Sequence, residues 1–106
     1  MLKVWAIATG AMLVTGPIQA GDPTAIDAGR TLAEANCAVC HAIGHVDEST
    51  HPDAPPFRIL SQRYPIESLG EALAEGIMVG HPDMPEFALP QDQVAAIIAY
   101  LESIQE

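Results

Sequence analysis

The sequence predicts an all-α domain: three main helices joined by two long loops. Three observations carry that expectation. Val94, Ile97, Ile98, Leu101 and Ile104 recur at helical period near the C-terminus. A second helical segment opens at Asp22–Pro23, an N-cap residue followed by the proline that suits a first helical position. No strand-like run occurs, and most of the prolines gather in two stretches between the helical segments.

In chain order, residues 1–20 read as a secretory leader. Lys3 gives the basic start, Val4 to Val14 the apolar stretch, and Gly16–Pro17–Ile18–Gln19–Ala20 the polar end. A retained anchor is the competing reading. The apolar run has about half of the ~20 residues that span a bilayer, and Pro17 interrupts it. Cleavage after Ala20 would leave one domain over 21–106, with no stable membrane insertion. The first helix is expected over Pro23 to Asn36, where Gly29, Ala33 and Cys37 fall four apart on a thin stripe that invites close approach by another helix. His41 to Tyr64 reads as loop, because Gly44, Pro52, Pro55 and Pro56 oppose long regular structure. A middle helix is marked from about Pro65 to Glu75 by Leu69, Ala72 and Leu73, with Gly76 ending it. A second loop follows from Ile77 to Pro90. The last helix is expected from about Gln91 to Ser103, with Tyr100 beside its apolar face. Loops this long in a small domain are functional or disordered, and these are stiffened by proline and carry Phe57 and Phe87, as suits wrapping a cofactor.

Composition narrows the function. The 106 residues hold 14 acids and 4 basic side chains, a net charge of −10. Without the leader, three arginines (Arg30, Arg58, Arg63) face the same 14 acids, which makes −11. Such a chain is no nucleic-acid binder working through a basic surface, and it does not suit an anionic membrane surface. Two cysteines are too few for a disulfide-stapled mini-protein. Of the 86 residues after position 20, only Phe57, Tyr64, Phe87 and Tyr100 are aromatic. A domain that small is marginal on its own core and calls for a metal or a cofactor.

Cys37–Ala38–Val39–Cys40–His41 reads as a c-type haem attachment site. On a helical turn the three functional residues stand at i, i+3 and i+4 and share one side. Two thiols at that spacing suit the two vinyl groups of one haem, and the adjacent imidazole suits the iron as proximal ligand. The competing readings are a thioredoxin-like pair, a zinc half-site or two free core cysteines. A redox pair belongs with a βαβ pattern, which is absent, and His45 with His51 matches a second zinc ligand pair poorly. The residues alone leave Met78, Met84, His45, His51 and His81 as candidates for the distal position. Donors for the haem propionates cluster in one stretch, Arg58, Ser61, Gln62, Arg63 and Tyr64, though both arginines also suit ordinary surface roles.

Together with Ala54–Pro55–Pro56–Phe57, Met84–Pro85–Glu86–Phe87 and Ile97–Ile98–Ala99–Tyr100–Leu101, that motif resembles a small soluble class I c-type cytochrome of the monohaem bacterial type. The resemblance implies the cytochrome c fold, with helices and loops wrapped around one covalent haem c and the first and last helices crossing. It implies that Gly29 is the crossing glycine and Tyr100 its partner aromatic, while Ala33 is smaller than the family's usual residue there. It further implies Met84 as the distal iron ligand opposite His41, and the Pro55 carbonyl as acceptor for the His41 ring N–H. The expected function is that of a periplasmic one-electron carrier and not an enzyme, with iron cycling between ferric and ferrous and no substrate bond made. Its expected partners are redox proteins with a basic docking face, and it is expected to be a monomer. Two alternatives stand beside it: a haem-based ligand sensor with an open distal site, and an electron-input subunit of a larger oxidoreductase.

Overall fold

Asp22 starts the first helix through its side chain. Its Oδ1 accepts the Thr24 N–H at 2.9 Å, and Pro23 fills the first turn, where no backbone donor is needed. The computed structural model describes residues 21–76 and 81–106. The expected leader over 1–20 and Met78 lie outside the described residues. Among the described residues there are three α-helices, α1 (Pro23–Asn36), α2 (Leu69–Glu75) and α3 (Gln91–Ile104), with 3-10 helices at Phe57–Gln62 and Ile66–Ser68. Among the described residues there is no strand. Nor is any helix there long and apolar enough to cross a membrane.

The fold is organised by the crossing of α1 and α3. The buried residues of α1 are Ala25, Gly29 and Ala33, one small residue per turn. A Cβ built on Gly29 would stand 2.0 Å from the Ala96 carbonyl oxygen and 2.7 Å from Tyr100 Cβ. Only hydrogen in place of a side chain lets the two backbones meet there. Helix α3 is therefore buried more widely than its apolar stripe suggests. Ala96, Ala99 and Tyr100 are buried along with Val94, Ile97, Leu101 and Ile104, while Ile98 is half-buried. Ala33, 1% exposed, joins Phe57, Leu60, Ile66, Ile97, Tyr100, Leu101 and Ile104 in one core cluster.

Two stretches differ from the sequence-based expectation. The expected irregular segment from His41 to Tyr64 contains the 3-10 helix Phe57–Gln62. Three residues per turn place Phe57 and Leu60 on one side, and both are buried. Pro56 precedes the helix in extended geometry (φ −57°, ψ 140°) and so leads into it where a breaker was expected. The expected middle helix over 65–75 begins as the short 3-10 turn Ile66–Ser68 and becomes α-helical only at Leu69. Gly76 ends it in the left-handed region (φ 73°), as its position suggested.

Long-range hydrogen bonds fasten the loops. Gln105 Nε2 donates to Phe57 O at 2.7 Å, Ser61 N donates to Gln105 Oε1 at 2.8 Å, and Glu106 N donates to Arg58 O at 2.9 Å. Gln105 and Glu106 thus clamp the 3-10 helix. Leu89 N donates to Leu73 O at 2.9 Å and returns the second loop to α2.

Candidate functional site

The Cys37–His41 segment leaves α1 as a turn. Cys37 caps the helix, donating its N–H to Ala33 O at 2.8 Å, and its own carbonyl accepts from Cys40 N at 3.2 Å and His41 N at 2.9 Å. Both cysteines are free thiols, and both are half-buried. Burial pushes the Cys37 thiol up to about 11, so it is held as the neutral thiol near pH 7. Val39, between them, is 80% exposed.

His41 is held from two sides. Its Nδ1 lies 2.8 Å from Pro55 O. A carbonyl can only accept, so Nδ1 carries the proton and Nε2 keeps its lone pair for a ligand. The Phe57 ring centroid stands 4.9 Å from that of His41 at 44°. The adjoining turn is braced as well: Ala42 O accepts from Phe57 N at 2.9 Å, and Tyr100 Oη donates to Ile43 O. Helix α3, through Tyr100, therefore reaches the turn that carries the imidazole.

Of the residues expected around the propionates, Arg58 is tied into the 44–47 turn. Its guanidinium NH1 donates to Asp47 O at 2.7 Å and to Gly44 O at 3.5 Å, closing the 44–47 turn. The Asp47 carboxylate caps the same turn, accepting from Ile43 N at 3.1 Å and Gly44 N at 2.9 Å. Arg63 and Tyr64 are exposed just beyond the 3-10 helix, and both backbone N–H groups go to Leu60 O. Met84 is half-buried in the second loop, with its N–H on His81 O at 3.1 Å and Pro85 following. His45 is exposed. His51 and His81 meet at a centroid distance of 5.3 Å and are paired with carboxylates, His51 with Asp83 and His81 with Asp53.

The core is incomplete in a way that fits a bulky apolar cofactor. Ile97 and Leu101 are the most deeply covered large side chains among the described residues, each 2% exposed. Leu32, Ile43, Leu69, Leu73, Leu89 and Ile98 are only half-covered against the core cluster, and Cys37 belongs to that same half-covered set. Apolar surface left in water forfeits roughly 25 cal/mol per Å². A macrocycle joined to Cys37 and Cys40 would cover such surface. The donors also suit haem c: two free thiols at i and i+3, and an imidazole with Nε2 available at i+4.

Sequence reasoning overlooked Asp47, Gln105 and the carboxylates of Asp53 and Asp83. The last two had a visible signal, because the tripeptide His-Pro-Asp occurs twice, at 51–53 and 81–83. The family model described as cytochrome C oxidase, cbb3-type, subunit III matches residues 24–101, from the first turn of α1 into the last turn of α3. No curated protein and no solved structure matches the chain.

Proposed function

The chain belongs to the family of cytochrome C oxidase, cbb3-type, subunit III, and is a small c-type cytochrome; on that premise we propose that it is a periplasmic monohaem carrier of single electrons. Cys37 and Cys40 would hold the haem covalently, and His41 and Met84 would ligate its iron. The observation that carries this reading is the His41–Pro55 hydrogen bond of 2.8 Å within the Cys-x-x-Cys-His turn. It sets the tautomer and the ring orientation that a proximal ligand needs.

The haem supplies, when bound, an iron that accepts one electron and releases one. The chain's residues do the rest. Pro55 and Phe57 keep the imidazole in place. A thioether from Met84 on the iron would favour the ferrous form and keep out exogenous ligands. Arg58 acts by tying the 44–47 turn, and Arg63 and Tyr64 stand at the surface as candidate donors to the propionates. No lysine follows position 3, so an electrostatic docking partner would present a basic face.

A potentiometric titration of the holoprotein should follow a single one-electron Nernst curve, and the ferric form should resist cyanide on mixing. Immediate cyanide binding would instead make the protein a haem-based ligand sensor. A second reading draws on the family itself, whose description names an oxidase subunit. In that case this domain feeds electrons to a larger oxidoreductase and co-purifies with it; recovery as a lone monomer from native envelopes would decide for the free carrier.

A further inference from the structure

We propose that the two His-Pro-Asp tripeptides form a reciprocal latch that positions Met84, with His51, Asp53, His81 and Asp83 acting as positioning residues. The proposal rests on the reading of Met84 as the distal iron ligand.

The two tripeptides fold alike. Asp53 N–H donates to His51 Nδ1 at 3.1 Å, and Asp83 N–H donates to His81 Nδ1 at 3.1 Å. In both rings Nδ1 is therefore an acceptor, which places the ring proton on Nε2. Each Nε2 then crosses to the other tripeptide's carboxylate: His51 Nε2 to Asp83 Oδ2 at 3.1 Å, and His81 Nε2 to Asp53 Oδ2 at 3.1 Å. The rings meet edge to face, 68° apart. Two loops some thirty residues apart in sequence are thus joined by one hydrogen bond, His51 to Asp83, and one close imidazole–carboxylate contact, His81 to Asp53.

What the latch joins gives it a role. Two residues beyond Asp53 is Pro55, whose carbonyl holds His41. Directly after Asp83 is Met84, whose N–H is bonded to His81 O. The support of the proximal ligand and the distal ligand itself are therefore connected across the latch. A cation site is the competing use of this cluster, since one ligand atom each from His51, His81 and Asp83 lies within 4.8 Å of the others. A metal on His51 Nε2 would need the ring proton on Nδ1, where the Asp53 N–H already points. The hydrogen bonds favour the latch.

The test uses ferric holoprotein and added imidazole, with the rate of loss of the sulfur-to-iron charge-transfer band as the readout. His51→Leu removes one crossing donor and should exchange Met84 for imidazole about tenfold faster than wild type. His51→Gln keeps an N–H donor at similar reach and should restore a rate near wild type. If His51→Leu does not mature with haem, Asp53→Ala breaks the other half of the pair and serves the same comparison. Equal rates in wild type and His51→Leu, or equal acceleration by the Leu and Gln variants, would overturn the latch. Stoichiometric Zn²⁺ binding that disappears in His51→Leu would overturn it in favour of a cation site. A wild type without the band would remove Met84 from the iron and take both readings down, an outcome distinct from a wild type with the band and unaltered rates.

Discussion

At the scale of single residues, the fold depends on positions where something small or rigid is required. Gly29 is the clearest, because a methyl group there would enter the Ala96 carbonyl. The clash is with backbone, so it can be relieved only by moving the helices apart. Gly29→Ala should lower holoprotein stability by about 3 kcal/mol, read as a fall in denaturant midpoint with unchanged slope; an unaltered midpoint would mean that the crossing has slack. Pro55 acts through its carbonyl, which holds His41, and Asp22 through the one cap bond that starts α1. Gly29, Asp22 and the Cys-x-x-Cys-His motif were all legible in the sequence, because each belongs to a local pattern with a physical reason. Arg58 was harder to place. Its basic charge suggested propionates, while its NH1 is bonded to the carbonyls of the 44–47 turn, an acceptor pair that no local pattern announces.

At the scale of elements, α1 and α3 could be read from their caps and periods almost to the residue, with α3 extending one position past the expected Ser103 to Ile104. The 3-10 helix Phe57–Gln62 could not. It follows two prolines, and it is held by Gln105 and Glu106, bonded to Phe57, Ser61 and Arg58 more than forty residues away in sequence. Tertiary hydrogen bonds of that range leave no periodic trace. Gln105→Ala removes both side-chain bonds to the 3-10 helix, along with one to Leu101 O, and should cost about 2 kcal/mol. The loss should appear first as faster amide exchange in residues 57–62, with α1 unaffected; uniform exchange across both would argue against a local clamp. The paired His-Pro-Asp tripeptides were visible as a repeated word, but their meaning depends on the two loops meeting.

At the scale of the whole molecule, two properties stand out: an apolar core bordered by half-covered leucines and isoleucines, and a large negative charge. The first is answered by the cofactor that the family carries, because the half-covered leucines and isoleucines around the core lie in one set with Cys37. The second bears on encounter. With 14 acids against three arginines after position 20, the surface potential should draw cationic partners over a Debye length of about 10 Å at 0.1 M salt. The second-order rate of electron transfer to a cationic redox partner should therefore fall as salt rises, and a flat or rising dependence would rule out steering by the acidic surface. Ligation of the iron by His41 and Met84 is tested most directly by the visible spectrum of the ferric holoprotein, recorded for wild type and for Met84→Ala. The far-red sulfur-to-iron charge-transfer band should be present in wild type and absent from the variant, with the haem still covalently attached in both. Its absence from wild type, or its persistence in Met84→Ala, would contradict ligation by His41 and Met84.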